Sequence, residues 1–215
     1  MSQHPLSDDL LSRHASGQAQ APVSLVVRSH CALVQASARR LADLEALGGA
    51  GLEALEGVPM AAGGLDALMA RLDEPHEEPE PPGLPDFLQG LGIPEPMIAY
   101  LANAPKWRTV LPGFIHQIPL ALSWGTTPVT LVRMRPGVVV PLHSHSGVEL
   151  NLVLQGGFDD ASEEYLPGDV AVKDPSDIHK LNIHDDGDCI VLVVRDGPLV
   201  PHGLVAQVAS WLTGF

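Results

Sequence analysis

Residues 141–149 read Pro-Leu-His-Ser-His-Ser-Gly-Val-Glu, a stretch that places two histidines and a glutamate around a turn. Successive side chains of a strand point to opposite faces, so His143 and His145 share one face if the backbone is extended. Gly147 marks the turn, and Glu149 begins the next apolar run. The spacing therefore predicts two strands, joined by a tight turn, that present three metal-ligating side chains together.

A fourth ligand has to come from elsewhere in the chain. His179 opens a later run, directly after the turn formed by residues 174–177. Three imidazoles and one carboxylate form a borderline-hard donor set that suits zinc, iron, manganese or nickel. The alternative is that these residues lie in ordinary surface loops. The predicted ligands of one divalent metal ion, with zinc the first choice, are His143, His145, Glu149 and His179.

Short apolar or alternating runs fill the chain from Lys106 onward, and glycine and proline turns separate them. Many short strands with such turns predict an all-β barrel or sandwich. A last helix is predicted over Leu204–Leu212. The predicted strands lie near residues 107–110, 114–118, 129–134, 138–140, 149–154, 170–173, 180–183 and 189–194.

Residues 1–72 follow a helical pattern instead. Ser7 is a good N-cap for a first helix, and a second helix is predicted from Pro22 to Leu47, with Gly48 and Gly49 ending it. A further helix is predicted over residues 64–72. The apolar stripes exceed what such a small bundle can bury, so it can leave a groove for a partner helix; a self-contained bundle without a partner is the alternative.

The middle of the chain is acidic and rich in proline. Residues 73–86 hold five prolines and six carboxylates, a composition typical of an extended linker. Residues 87–105 are predicted to form a short helical arm that docks on either side. The predicted organisation is α+β, with a small all-α helical bundle (1–72), a linker and arm (73–105) and an all-β, jelly-roll-like barrel (106–215).

The formal net charge of −14 argues against direct binding to nucleic acid, because the phosphate backbone would repel the chain. It is compatible with a basic protein partner. The first ten residues lack the pattern of a signal peptide, and no apolar run approaches 18 residues. We therefore expect a cytoplasmic protein without a membrane partner.

The barrel part resembles the cupin superfamily. The first cupin motif is matched in every spacing by Gly137, His143, His145, Glu149 and Gly156. The second motif is looser: its glycine, proline, histidine and asparagine correspond to Gly168, Pro175, His179 and Asn182, with the proline one residue late and the last spacing one residue short. The resemblance implies a metal-binding jelly-roll barrel.

The whole chain resembles the ChrR-type anti-sigma factors, which join a helical zinc-binding domain to a cupin-like domain. The similar stretches are Ser24–His30, Trp107–Thr109 and His145–Gly156. The resemblance implies a sigma factor as partner and an oxidative signal, such as singlet oxygen, read by the barrel. A small molecule bound inside the barrel is a further partner to expect.

One departure from that family concerns its N-terminal zinc site, a histidine near the start followed by His-x3-Cys-x2-Cys. His30 matches the second histidine, but Val34 and Ser37 stand at the two cysteine positions. We therefore expect this zinc site to be lost. A weakened site built from His4, His30 and Cys31 is the alternative.

These resemblances imply two alternative functions. The first is an anti-sigma factor that sequesters an extracytoplasmic-function-type sigma factor and regulates transcription, with no enzyme activity. The second is a metal-dependent cupin dioxygenase with open coordination positions for substrate and oxygen. The metal and its free positions distinguish them, since closed tetrahedral zinc favours sensing and open six-coordinate iron favours oxygenation.

Overall fold

The computed structural model describes residues 4–72, 82–160 and 163–202. Five α-helices and one 3₁₀ helix occupy the N-terminal half of these residues, and strands occupy the rest, which confirms the α+β class. The predicted helix over Leu204–Leu212 and most of the predicted linker lie outside the described residues. None of the described helices combines the length and hydropathy needed to cross a membrane.

The helices begin close to the predicted places. Ser7 caps the first one, and its hydroxyl accepts a hydrogen bond from the Leu10 amide. The helix predicted over residues 64–72 is confirmed. The bounds are α1 Asp8–Ala15, α2 Ala21–Leu33, α3 Gln35–Glu53, α4 Gly64–Leu72, a 3₁₀ turn Asp86–Leu88 and α5 Glu95–Leu101.

The single helix predicted from Pro22 to Leu47 is wrong, because the chain breaks at Val34 into α2 and α3. Val34 is extended (φ −121°, ψ 96°). In an unbroken helix, residues 30 and 37 would lie about 10 Å apart along the axis. The break instead lets the Ser37 hydroxyl meet the buried His30 ring. The predicted stop at Gly48 and Gly49 is also wrong, since α3 runs on to Glu53.

Two antiparallel sheets make up the β part of the described chain. The larger sheet has the order β1-β2-β3-β10-β5-β8, and the smaller has the order β11-β4-β9-β6-β7. The strands are β1 Arg108–Leu111, β2 Ile115–Trp124, β3 Thr127–Met134, β4 Val139–His145, β5 Glu149–Gln155, β6 Phe158–Asp159, β7 Glu164–Tyr165, β8 Val170–Lys173, β9 His179–Ile183, β10 Cys189–Arg195 and β11 Leu199–Pro201.

The strands β5 and β10 of the larger sheet are buried on both faces. One set of side chains along β5 and β10, which includes Leu152 and Leu192, belongs to a core shared with the helices. The alternate set, which includes Val153 and Val191, belongs to a second core inside the barrel. This explains why β10 is a nearly continuous apolar run, as is typical of a strand covered on two sides.

The helical part and the barrel therefore share one hydrophobic core. Val26 and Val27 of α2 and Met97 and Leu101 of α5 are almost fully buried in the same cluster as Leu152 of β5. An extended linker at residues 73–86 would allow two separate parts, but α2 and α5 pack against the larger sheet in one core. The boundaries at residues 72 and 105 stay a prediction.

We expect Leu101→Ala to lower the free energy of unfolding of the full chain by about 2–5 kcal/mol, because this fully buried side chain would leave a cavity between α5 and the sheet. The control is Leu68→Ala on α4, a helix without buried residues, which should change stability by less than about 0.5 kcal/mol. Chemical denaturation of both variants measures this. If Leu101→Ala lowers the free energy of unfolding as little as Leu68→Ala does, α5 is not part of the core.

Candidate metal centre

Three strands bring the four predicted ligands together. His143 and His145 lie on the same face of β4, Glu149 is the first residue of β5, and His179 is the first residue of β9. His143 and His179 are direct cross-strand partners. All four side chains are buried. The pairing of β4 with β9 thus supplies the ligand that the local motif could not.

Gly147, in the turn between β4 and β5, lies directly against the Asp196 side chain. A Cβ atom at this position would lie 1.5 Å from Oδ1 of Asp196, so any other residue would require the Asp196 carboxylate to move. At Gly147 the chain passes beside the Asp196 carboxylate without a side chain of its own. The tight turn brings the Glu149 carboxylate next to the His145 ring.

The ligand atoms converge on one point. Nε2 of His145 lies 3.0 Å from Oε2 of Glu149 and 3.1 Å from Nε2 of His179. Candidate ligand atoms of all four residues lie within 4.8 Å of one another. Such convergence of buried nitrogen and oxygen donors fits a divalent cation, so the cluster can bind a metal ion.

Hydrogen bonds around the cluster orient two of the ligands. Nδ1 of His143 lies 2.7 Å from the carbonyl oxygen of Pro141, which can only accept, so Nδ1–H donates and Nε2 is left to bind a metal. The Asn151 amide donates to Oε2 of Glu149 at 2.8 Å. Partners of this kind fix the tautomer and the direction of metal ligands.

Burial and neighbouring charges set the protonation states that a metal needs. Burial lowers the pKa of His143, and burial together with the nearby His143 ring lowers the pKa of His179 to about 4. Burial would raise the pKa of Glu149, but a hydrogen bond from His145 and the attraction of the three imidazoles hold it below its ordinary value. Neutral imidazoles and an ionised carboxylate are the forms that ligate.

Sequence reasoning identified the four clustered residues but missed two neighbours. Asn151 follows Glu149 by two residues, so both side chains lie on the inner face of β5. Arg195 of β10 is the cross-strand partner of Glu149. Arg195 could have been identified from the sequence, because it is an arginine at the end of the apolar run that forms β10. A further group, Asp159, Glu164 and His184, lies on the barrel surface with both carboxylates exposed.

His30 is fully buried where the helices meet the barrel, and both ring nitrogens have protein partners. Nδ1 lies 2.7 Å from the Gly168 carbonyl oxygen, so this nitrogen donates. Burial lowers the pKa of His30, so the ring is neutral at pH 7, and Nε2 accepts from the Ser37 hydroxyl at 2.7 Å. The loss of the N-terminal zinc site stays a prediction, and these contacts support it.

The barrel turn that contains Gly168 also contacts His4. The Asp169 carboxylate accepts the His4 amide at 2.8 Å, while the His4 ring lies 2.9 Å from the Glu164 carbonyl oxygen. Gly168 has φ +94°, a conformation that glycine adopts without strain. His4 and His30 thus bind barrel backbone and side chains at residues 163–169 and do not form a metal cluster with Cys31 in the described chain.

We expect His143→Ala and His179→Ala to reduce the metal content of purified protein from near one ion per chain to a small fraction, because three ligands no longer complete the site. The matched control is His116→Ala, a half-buried histidine of β2, which should keep its metal. Elemental analysis of the three variants measures this. Stoichiometric metal in His143→Ala would contradict the assignment.

We expect His30→Ala to destabilise the full chain by about 2–4 kcal/mol, because the Gly168 carbonyl and the Ser37 hydroxyl would both lose a buried partner. Ser37→Ala removes one of these bonds and should cost about 1 kcal/mol. Thermal or chemical unfolding measures both. If a chelator unfolds α2 and α3 of the wild type as strongly as His30→Ala does, a metal holds this region after all.

Comparison with known proteins agrees with the geometry. The family model of the ChrR cupin-like domain matches residues 96–199. The anti-sigma-E factor ChrR of Cereibacter sphaeroides is 34% identical over 199 residues, which is 91% of each chain. The crystal structure of Rhodobacter sphaeroides SigE in complex with the anti-sigma ChrR matches with a TM-score of 0.75 at 32% identity, over 90% of this chain and 98% of that chain. The chain belongs to the ChrR family of anti-sigma factors, with a cupin-like domain in its C-terminal half.

Proposed function

We propose that this chain is an anti-sigma factor that holds a sigma factor with its helical part and reads an oxidative signal with its metal-bound barrel. Membership of the ChrR family supports the partner, since the related structure is a complex of ChrR with SigE. A sigma factor acts in the cytoplasm, so the proposal places this protein there. The acidic net charge suits a partner with a basic DNA-facing surface.

The observation that carries the proposal is an exposed apolar surface that nothing in the described chain covers. It spans the second half of α3, the connection and α4, and α4 buries none of its residues. Contiguous exposed apolar surface marks sites of protein interaction. We call it the α3–α4 surface, and its members are Leu47, Leu52, Leu55, Val58, Met60, Leu65, Leu68, Met69 and Leu72.

The shared core supports a route by which a structural change in the barrel reaches the helices. Glu149 of the metal cluster is the cross-strand partner of Lys173 in β8, and β8 follows the turn whose Gly168 carbonyl accepts the His30 hydrogen bond. A rearrangement at the metal can therefore shift the turn that contacts α2. Such coupling requires that the signal change the relative stability of two arrangements.

Zinc is the metal that we assign to the barrel. Three histidines and one glutamate can complete a closed tetrahedral site, as structural zinc prefers. The alternative, an iron-dependent dioxygenase, is supported by the apolar cavity that reaches His143 and Glu149. Metal analysis and oxygen consumption by the iron-loaded protein separate the two, because only the enzyme consumes oxygen in turnover.

The test of partner binding uses the full chain, because α2 buries its apolar face on the barrel. We expect the double variant Leu65→Asp/Met69→Asp to bind the sigma factor encoded beside this gene at least about tenfold more weakly than the wild type does. These two side chains lie one turn apart on exposed α4, so the fold should be unchanged.

The matched control is Phe114→Asp, which places the same charge on an exposed apolar residue of the barrel. Titration calorimetry measures the three affinities. Equal loss in both variants, or no loss in either, would show that the α3–α4 surface is not the binding site. If the wild type binds no sigma factor of its host, the regulatory proposal fails and the oxygen measurement becomes decisive.

A further inference from the structure

A cavity of about 210 Å³ lies inside the barrel, between the two sheets. Most of its wall is aliphatic or aromatic, from Val132 and Val191 of the larger sheet and Phe158 and Leu181 of the smaller one. In another protein, an apolar cavity of about 150 Å³ is enough to hold benzene. The space therefore fits a molecule of one six-membered ring with a few further atoms.

The apolar wall continues to the outside of the barrel. Leu111 of β1 and Val139 of β4 both line the cavity, yet they are 37% and 51% exposed to solvent. Phe114, in the turn that follows β1, is exposed as well. An apolar molecule from solution thus meets apolar side chains first at the surface and then inside, as is typical of a ligand site that is largely preformed.

One buried amide in the cavity wall lacks a hydrogen-bond donor. Asn151 is only 4% exposed and lines the cavity. Its Nδ2 donates to Oε2 of Glu149, which fixes the orientation of the amide and leaves Oδ1 as an acceptor. No described residue donates to Oδ1. A buried acceptor without a donor is destabilising, so a ligand that brings a hydroxyl to this amide gains a hydrogen bond that the empty barrel lacks.

The cavity is not suited to a charged ligand. Among the described residues that line it, Glu149 and Arg195 carry a full charge. They are cross-strand partners, and the Glu149 carboxylate attracts the Arg195 guanidinium. Each charge therefore already has an opposite charge beside it. An ionised ligand would lose its water to an apolar wall without gaining an unpaired counter-charge, which is unfavourable.

We propose that the barrel binds a neutral apolar molecule, about one six-membered ring in size, that carries a hydroxyl group. The hydroxyl donates to Oδ1 of Asn151, and the hydrocarbon body occupies the cavity. This names the class of molecule that the sensor reads, and it rests on the proposed function only for that role. The contacts require Asn151 and the apolar wall, whichever metal the cluster holds.

Three probes with the same ring test the inference: cyclohexanol, cyclohexanone and cyclohexanecarboxylate. Nuclear magnetic resonance titration of the full, zinc-loaded chain gives each affinity, and the shifted amides locate the bound probe. We expect cyclohexanol to bind at least about tenfold more tightly than cyclohexanone, which cannot donate, and than the carboxylate, which is charged. Equal affinities for the alcohol and the ketone, tighter binding of the carboxylate, or no binding of the alcohol would overturn the proposal.

Two variants test the contact with Asn151. Asn151→Leu removes the acceptor and should reduce the preference for cyclohexanol over cyclohexanone to about onefold. The matched control is Thr130→Val, which removes another polar group from the cavity wall and should keep the preference. Because the two affinities are compared within one variant, a general loosening of the barrel affects both alike. An undiminished preference in Asn151→Leu would refute the proposed hydroxyl contact.

Sigma factor binding by the same preparations keeps the two proposals separate. Val193→Phe fills the cavity, away from the α3–α4 surface, so it should weaken cyclohexanol binding by about tenfold or more and bind the sigma factor as the wild type does. A wild-type chain that binds cyclohexanol but no sigma factor retains the cavity inference and loses the regulatory role. A chain that binds the sigma factor but not cyclohexanol retains the role and loses the inference.

Discussion

The rest of the structure depends on the burial of β5 and β10 on both faces. On one face these strands carry leucine, isoleucine and valine side chains that pack against α2 and α5. On the other face they carry Glu149, Asn151 and Arg195 into the barrel. Because side chains of a strand alternate, β5 packs against the helices with one face and presents Glu149, one of the four clustered residues, on the other. A displacement of β5 would therefore reach both the helices and the metal cluster.

This arrangement gives the helical part a core that it cannot form alone. α2 buries residues along most of its length, whereas α4 buries none. The helices are thus divided into a portion committed to the barrel and a portion with an apolar face left exposed. Such a division suits a protein that binds a partner through its exposed helices and responds to a change in its barrel.

Much of the fold and the site could be predicted from local sequence. The metal cluster follows from the His-x-His-x3-Glu spacing because strand alternation and one tight turn determine where those side chains point. The strands follow from short apolar runs between glycine and proline turns. The contact between His30 and Gly168 and the pairing of Arg195 with Glu149 join residues more than 30 positions apart in the sequence. Local spacing carries no information on such pairings.

The central claim is that the metal cluster and α2 are coupled through the shared strands. Hydrogen exchange on the full chain, with and without bound zinc, tests this most directly. The account predicts that amides of α2 and of residues 168–170 exchange at least about tenfold faster without metal, while those of exposed α4 do not change. Identical exchange of α2 in the two states would contradict the account.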